Sequence, residues 1–175
     1  MNITAEEVKR LRDLTGAGMM EAKSALVETS GDFDAATEIL KARGASIAAK
    51  KADRATANGV IASYIHIGNR IGVLVEVNVE TDFVARDEKF VAFAKEVALH
   101  IAGMDPKYVS EGDIPTDVLK AQDNPATYIK ETCLLNQLFV RDPSKTVADL
   151  LNEQIGNFKE NITIRRFVRM QLGSE

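Results

Sequence analysis

The apolar residues of positions 1–45 recur at three- and four-residue spacing in three short runs, which predicts three helices. The first helix is expected to begin with a capping box between Thr4 and Glu7 and to end at the glycines of residues 16–18. The third is expected to start at an Asp32 cap and to stop at Gly44. The side chains expected in the core of this bundle are Val8, Leu11 and Leu14, then Met19, Ala22 and Leu26, then Phe33, Ala36, Ile39 and Leu40.

Residues 45–54 are rich in Ala and Lys and carry no wide apolar stripe, a composition typical of an exposed helical linker. We therefore expect a three-helix domain at residues 1–54 and a core domain at residues 55–175. Within the first domain, Met20 lies about a hundred degrees round its helix from Met19. Two interpretations are evenly balanced: both methionines lie in the core, or one of them contacts a partner.

The pattern changes to alternation after residue 59. Residues 60–67 and 70–79 are rich in β-branched side chains and flank Gly68-Asn69, a dipeptide that predicts a two-residue hairpin turn. Residues 161–172 alternate as well and are expected to join the hairpin, because two strands alone are marginal in water. The face expected to hold the larger apolar set carries Val60, Ala62, Tyr64 and His66 beside Ile71, Val73, Val75 and Val77. The opposite face is half apolar, which allows both faces to be covered.

Four further helices are predicted in the core domain, at residues 87–102, 116–122, 126–138 and 147–158. The first of them carries Phe90, Ala94, Val97 and Ile101 along one side, ends at Gly103 and is expected to lie on the sheet. The predicted class is therefore α+β, with an N-terminal three-helix bundle followed by a core in which helices pack a small antiparallel sheet.

Composition and charge argue against several classes of function. The formal net charge is −4 and the sequence pI is about 5.3, so direct binding of nucleic acid is not expected. Cys133 is the only cysteine, which precludes an intrachain disulfide and suits a reducing compartment. No stretch approaches the roughly 20 apolar residues of a membrane helix, and residues 1–12 are too polar for a signal peptide. We expect a cytoplasmic protein that does not contact membranes.

Candidate catalytic chemistry is sparse. Neither His66 nor His100 has a cysteine or carboxylate at metal-ligand spacing, and no phosphate-binding glycine motif occurs. We therefore expect no catalytic residue, no metal site and no cofactor, and an enzyme is the weaker interpretation. A binding protein is the stronger one.

Several segments resemble the elongation factor Ts family in the same order and at similar separations. They are residues 11–20 (LRDLTGAGMM) with Lys23 and residues 25–26, residues 31–32 (GD), 50–54 (KKADR), 75–78 (VEVN), 81–86 (TDFVAR) and 160–166 (ENITIRR). Any one of these segments is weak evidence, whereas the ordered set is highly specific. The resemblance runs from the first helix to the last strand and is least between residues 104 and 136.

This resemblance implies a ubiquitin-associated-like N-terminal domain and a role as guanine nucleotide exchange factor for the GTPase elongation factor Tu. It implies that the factor binds the GDP form, induces release of GDP and Mg²⁺, and allows GTP to load during translation elongation. In the family the Thr-Asp-Phe-Val motif meets the GTPase domain, and its ring wedges between helices. The residues concerned are Thr81, Asp82, Phe83 and Val84 in this motif, and Arg12, Met19, Met20 and Lys23 for contacts of the N-terminal domain.

Alternatives remain beside the resemblance. Phe83 read alone is more often a ring of the local core, and the whole chain read alone also suits a plain protein-binding or oligomerisation module. Short family members tend to dimerise, and the half-apolar second face of the sheet predicts a homodimer formed through the core. The stretch of residues 120–132 is abbreviated beside other short members.

Overall fold

The structure, a computed structural model, describes residues 3–174. It confirms the predicted α+β class. The helices are α1 (Ala5–Thr15), α2 (Met19–Glu28), α3 (Phe33–Lys51), α4 (Asp82–Ala85), α5 (Glu88–Met104), α6 (Thr116–Lys120), α7 (Pro125–Thr132) and α8 (Val147–Phe158). The strands are β1 (Asn58–Ile65), β2 (Ile71–Val79), β3 (Leu138–Phe139), β4 (Asp142–Thr146) and β5 (Ile162–Gln171).

The described chain divides into two compact units. The first contains the described residues up to Ala55 together with Leu151–Asn161, and the second contains Thr56–Leu150 with the described residues from Ile162 onward. Residues 151–161 thus return to the first unit, which sequence spacing does not indicate. There Lys159 Nζ lies 2.9 Å from a Glu21 carboxylate oxygen, and this hydrogen bond holds the pKa of Glu21 below its usual range.

The helices of the first unit use the predicted caps. The Glu7 backbone N–H donates to the Thr4 hydroxyl at 3.2 Å, and the Thr4 N–H donates to the Glu7 carboxylate at 2.7 Å. Gly16 ends α1 in the left-handed region at φ 68°, and Asp32 caps α3 by accepting from the Ala35 N–H. The buried core consists of Val8, Leu11, Ala22, Ala25, Leu26, Ala36 and Leu40, with Phe33 and Ile39 partly buried against it.

Two predicted core side chains of this bundle are exposed. Leu14 and Met19 both face solvent, whereas Thr15 is buried. For Leu14 the reason is helical geometry. Position 15 lies almost directly above position 8 after two turns of α1, whereas position 14 lies about 120° away. Thr15 satisfies its buried hydroxyl by donating to the Leu11 carbonyl at 2.7 Å.

Gly44 does not end the third helix, contrary to the prediction. Helix α3 continues to Lys51, so the linker expected to be helical is the second half of α3 itself. The residues after Gly44 are mostly Ala and Lys, which have high helix propensity and outweigh one glycine at about 1 kcal/mol. A Cβ at Gly44 would lie 3.5 Å from the Asn152 carbonyl oxygen, so the glycine also allows close packing within this unit.

The second unit is built on a three-stranded antiparallel sheet in the order β1-β2-β5. The predicted hairpin register is confirmed, since Val60, Ala62 and Tyr64 pair with Val77, Val75 and Val73. The turn is wider than predicted, because the Asn69 N–H donates to the His66 carbonyl and the strands stop at Ile65 and restart at Ile71.

Strand β5 joins β2 as predicted. A β-bulge in β5, however, places the alternating apolar residues before it and after it on opposite faces of the sheet. Glu76 pairs with Arg166 while the next residue, Val77, pairs with Ile164, so Arg165 is the extra residue. Before the bulge, Ile162 and Ile164 are buried. After it, Val168 and Met170 point to the other face and are exposed.

Helix α5 covers one face of the sheet. Its predicted stripe of Phe90, Ala94, Val97 and Ile101 is fully buried, as are Val75 and Val77 of β2. Arg169 of β5 reaches the end of the helix, where its guanidinium donates to the Ala102 carbonyl and lies 3.2 Å from Asp105. A cation at a helix C-terminus also meets the negative end of the helix dipole.

The segment after α7 differs from the prediction. Helix α7 stops at Thr132, and residues 138–146 form the short β3–β4 hairpin instead of extending a helix to Leu138. Gln137 explains the change, since its side-chain amide donates to the Glu131 and Met104 carbonyls and ties the chain to the end of α5. No helix in residues 3–174 combines the length and the apolar character needed to cross a membrane.

His100 is fully buried next to Gln137. Its Nδ1 accepts from the Val140 N–H at 3.2 Å, so Nε2 carries the ring proton and donates to Gln137 Oε1 at 2.9 Å. If the ring were protonated, the second proton would lie on Nδ1 and point at the Val140 N–H, which cannot accept it. Burial lowers the pKa of His100, with the Gln137 hydrogen bond acting weakly in the opposite sense.

His100 is therefore expected to make stability depend on pH. Its folded-state pKa lies below the unfolded value of 6.5, so its contribution is complete above that value and is lost as pH falls toward the folded pKa. Thermal melts of the wild type should show a melting temperature that drops from pH 7 to pH 5, and His100→Gln should flatten that slope. An equal slope in the wild type and in His100→Gln would contradict this role of His100.

Candidate protein-binding site

The Thr81–Val84 motif forms the junction between the sheet and α5. Thr81 caps α4, its hydroxyl accepting from the Val84 N–H at 3.3 Å. Asp87 then caps α5 by accepting from the Lys89 N–H at 2.8 Å. Two caps six residues apart produce one isolated turn of helix followed by a new helix, and we call this turn between the sheet and α5 the corner.

Phe83 is the exposed side chain of this corner. It is 83% exposed, whereas the next two residues, Val84 at 7% and Ala85 at 8%, are buried. The interpretation of Phe83 as a ring of the local core is therefore wrong. Val84 anchors the turn beneath the ring, and this leaves Phe83 with a large apolar surface in water on a fixed backbone.

Asp82 and Arg86 flank the ring. The Arg86 guanidinium lies 3.0 Å from the Asp82 carboxylate, four residues earlier in the chain. Both side chains are well exposed, so this pair contributes little to stability, and its opening for a partner would cost little. The corner thus presents one exposed ring next to an exposed ion pair.

A second exposed group lies in the first unit, around the loop that joins α1 to α2. Met20 is 75% exposed and Met19 is 44% exposed, so neither belongs to the core. Lys23 is exposed one turn further along α2, and Arg12 is exposed in the last turn of α1. Leu14, in the last turn of α1, is exposed as well, and we name these five exposed residues near the loop the methionine patch. Sequence reasoning assigned Leu14 to the core.

The face of the sheet opposite α5 is a third exposed apolar surface. Glu76 lies on it and accepts hydrogen bonds from Arg166 at 2.7 Å and Asn78 at 3.2 Å, which hold the pKa of Glu76 below its usual range. Its exposed apolar side chains, which we name the open sheet face, are Ile61, Ile65, Leu74, Val168 and Met170.

The remaining reactive groups do not converge. Within the described residues, no cluster of three or more His, Cys, Asp or Glu side chains has the geometry to hold a metal ion. Burial raises the pKa of the Cys133 thiol, which is fully buried and so unsuited to nucleophilic chemistry. The features that the structure brings to its surface are apolar and aromatic, which defines a class of protein that acts by binding other proteins.

Comparison with known proteins identifies the family. The elongation factor Ts family model matches residues 4–128 and 124–174. An elongation factor Ts from Caldanaerobacter subterraneus subsp. tengcongensis is 48% identical over 194 residues, covering 98% of this chain and 97% of that protein. One from Pseudothermotoga lettingae is 44% identical over 198 residues, covering all of both chains, and one from Geobacter sulfurreducens is 45% identical over 196 residues, covering 99% and 91%. The chain belongs to the elongation factor Ts family.

The same comparisons show that the chain is shorter than these relatives. Alignments of 194–198 positions exceed the 175 residues of the chain, so these relatives contain residues that it lacks. The two matched parts of the family model meet at residues 124–128, which lie within the stretch expected to be abbreviated. In the structure this is the start of α7, where Asn124 caps the helix by accepting from the Thr127 N–H.

Proposed function

We propose that this protein is the guanine nucleotide exchange factor for elongation factor Tu. It binds the GDP form, induces release of GDP and Mg²⁺, and allows GTP to load during translation elongation in the cytoplasm. The observation that carries the proposal is the exposed Phe83 ring, held on a fixed corner by the cap of Thr81 and the buried Val84. Membership of the elongation factor Ts family supplies the partner.

The energetic requirement is modest. An exchange factor performs no covalent chemistry, and it must bind the GTPase more tightly without nucleotide than with it. The coupling is reciprocal: a thousandfold weakening of GDP corresponds to about 4 kcal/mol. A phenylalanine that moves from water into a partner pocket removes roughly 150–250 Å² from solvent, worth about 4–6 kcal/mol before ordering costs. Phe83 contributes to this coupling by entering only the loosened GTPase, whereas a second contact made equally in both states adds affinity for the partner.

The four motif residues have different roles in this proposal. Phe83 enters the GTPase as a wedge, and Asp82, beside it and equally accessible, contacts the partner and orients the motif. Thr81 and Val84 hold the turn from within, through the cap and the buried side chain. Asp82→Ala should therefore give a milder exchange defect than loss of the ring.

The methionine patch is proposed to supply the second contact. Residues 1–54 then act as a domain for partner affinity, and residues 55–175 as the core that carries the wedge and forms the dimer. Exposed methionines suit such a contact because their side chains adapt to a partner surface.

Met20→Ala is therefore expected to raise the concentration of factor needed for half-maximal GDP release about five- to tenfold, with little change in the maximal rate, as one interface side chain typically contributes about 1 kcal/mol. Titration of labelled GDP release measures both quantities. Met104→Ala, at an exposed methionine in the second unit, is the matched control and should leave both quantities unchanged. If Met20→Ala behaves like the control, the patch is not a partner contact.

A homodimer formed through the open sheet face is also proposed. The face holds apolar side chains on all three strands, and the carboxylate at its centre, Glu76, is paired with Arg166 and Arg165 of the same chain. A second copy would bury the apolar side chains against their own equivalents, and Glu76 would keep its charge partners within its own chain.

Affinities for elongation factor Tu in two states test the exchange proposal. The chain should bind the nucleotide-free GTPase about a thousandfold more tightly than the GDP-bound GTPase in calorimetric titrations. A plain binding module, the alternative function, would show equal affinities for both states. Equal affinities would contradict the proposal.

A further inference from the structure

The corner that carries Phe83 is held from below by the buried side chains of Val84 and Ala85, whereas the polar contacts described for it are weak. Helix α4 has four residues, its cap hydrogen bond is long at 3.3 Å, and the Asp82–Arg86 pair is exposed. Backbone pairing between β1 and β2 ends at Asn58 and Val79, two residues before Thr81. The way the chain is held at Glu80 therefore helps to set the direction in which the corner starts.

Asn58 holds the chain at that point. Its side-chain Nδ2 donates to the Glu80 carbonyl oxygen at 2.8 Å, across the strands and beyond the last backbone pair. The side chain is half-buried, so water competes with it less than at the exposed caps. Because Glu80 immediately precedes the cap of α4, this bond fixes the plane of the peptide from which the turn starts.

The base of this bond is itself rigid. At Gly59, the next residue, an added Cβ would collide with the Val77 carbonyl oxygen and lie 2.8 Å from the Asn78 Cα. Only glycine therefore fits beside β2 at this position, immediately next to Asn58.

We propose that Asn58 is a positioning residue for nucleotide exchange, acting through the direction of the Phe83 ring. This inference rests on the proposed function for its role in exchange, whereas the link between Asn58 and the ring is a property of the chain alone. Asp at position 58 has nearly the same shape as Asn but no N–H donor, and it would set a carboxylate oxygen against the Glu80 carbonyl.

The first experiment needs no partner. The chain contains no tryptophan, so Phe83→Trp introduces a single tryptophan at the corner, which can be excited selectively beside the three tyrosines. Asn58→Asp in that background should increase the amplitude of nanosecond depolarisation in time-resolved anisotropy. Asn69→Asp makes the same change of charge in the hairpin turn, where Asp tolerates the positive φ of 55°, and should leave the amplitude unchanged. Equal amplitudes for both variants would overturn the proposal.

The second experiment measures exchange in a double-mutant cycle. Asn58→Asp alone should lower the maximal rate of GDP release about fivefold and leave the half-saturating concentration nearly constant. In the Phe83→Ala background it should cause no further loss, because there is no ring left to direct. An equal loss in both backgrounds would show a general structural role and overturn the proposal. If the wild type does not stimulate release, the proposed exchange function fails, and the anisotropy still decides the link between Asn58 and the corner.

Discussion

Phe83→Ala is expected to lower the maximal rate of stimulated GDP release about 30-fold or more and to leave the melting temperature nearly unchanged. The rate should fall because a buried aromatic anchor at an interface typically contributes 2 kcal/mol or more, and each 1.4 kcal/mol is about a factor of ten. Stability should hold because the ring is 83% exposed in the free protein and removes little area from water on folding.

Phe90 provides the matched control for this prediction. It lies seven residues further along the chain, in the first turn of α5, and is fully buried. Phe90→Ala should cost about 3–5 kcal/mol of unfolding free energy, as large-to-small changes in a core do. Stopped-flow release and thermal melts on both variants separate the two roles. Normal exchange by Phe83→Ala would rule out the wedge.

Val168→Lys is expected to convert the dimer into a monomer without unfolding it. Val168 lies on the open sheet face after the bulge of β5, and it is exposed in the single chain. Two-fold symmetry introduces the lysine twice at the interface, and the desolvation and like-charge costs should weaken association by roughly a hundredfold or more.

Sedimentation at micromolar concentration measures this effect. Val27→Lys, which places the same charge at an exposed valine of α2, should remain dimeric. A wild type that sediments as a monomer would contradict the dimer. A Val168→Lys protein that remains dimeric would place the interface on another surface.

Local rules account for the parts of the fold that the sequence predicts correctly. Caps such as the Thr4–Glu7 box join residues close in the chain, so side-chain chemistry alone specifies them. The hairpin register likewise follows from alternation counted outward from the turn.

Non-local packing decides the features that the sequence does not predict. The bulge at Arg165 changes which face Val168 occupies, and only pairing with β2 reveals it. Hydrogen bonds from the Gln137 side chain to the Met104 and Glu131 carbonyls accompany a turn and a hairpin where a helix is expected. The return of residues 151–161 to the first unit has no local signal either.

The residues of the candidate site also divide into those that the sequence predicts and those that only the structure reveals. The Thr-Asp-Phe-Val motif locates the exposed ring, but only the structure separates its outward members from Val84, which is buried. Leu14 was missed because a leucine at near-helical spacing is read as core, although a period of 3.6 favours Thr15. Asn58 was missed because its partner, the Glu80 carbonyl, belongs to the backbone of another strand.

Release of fluorescent GDP from elongation factor Tu tests the central claim most directly. The chain should be added at about one-tenth of the GTPase concentration in the presence of excess unlabelled nucleotide. An exchange factor acts repeatedly, so all of the labelled GDP should be released at an accelerated rate that rises with the amount of chain added. Release at the intrinsic rate, or acceleration of only the fraction equal to the chain added, would contradict the account.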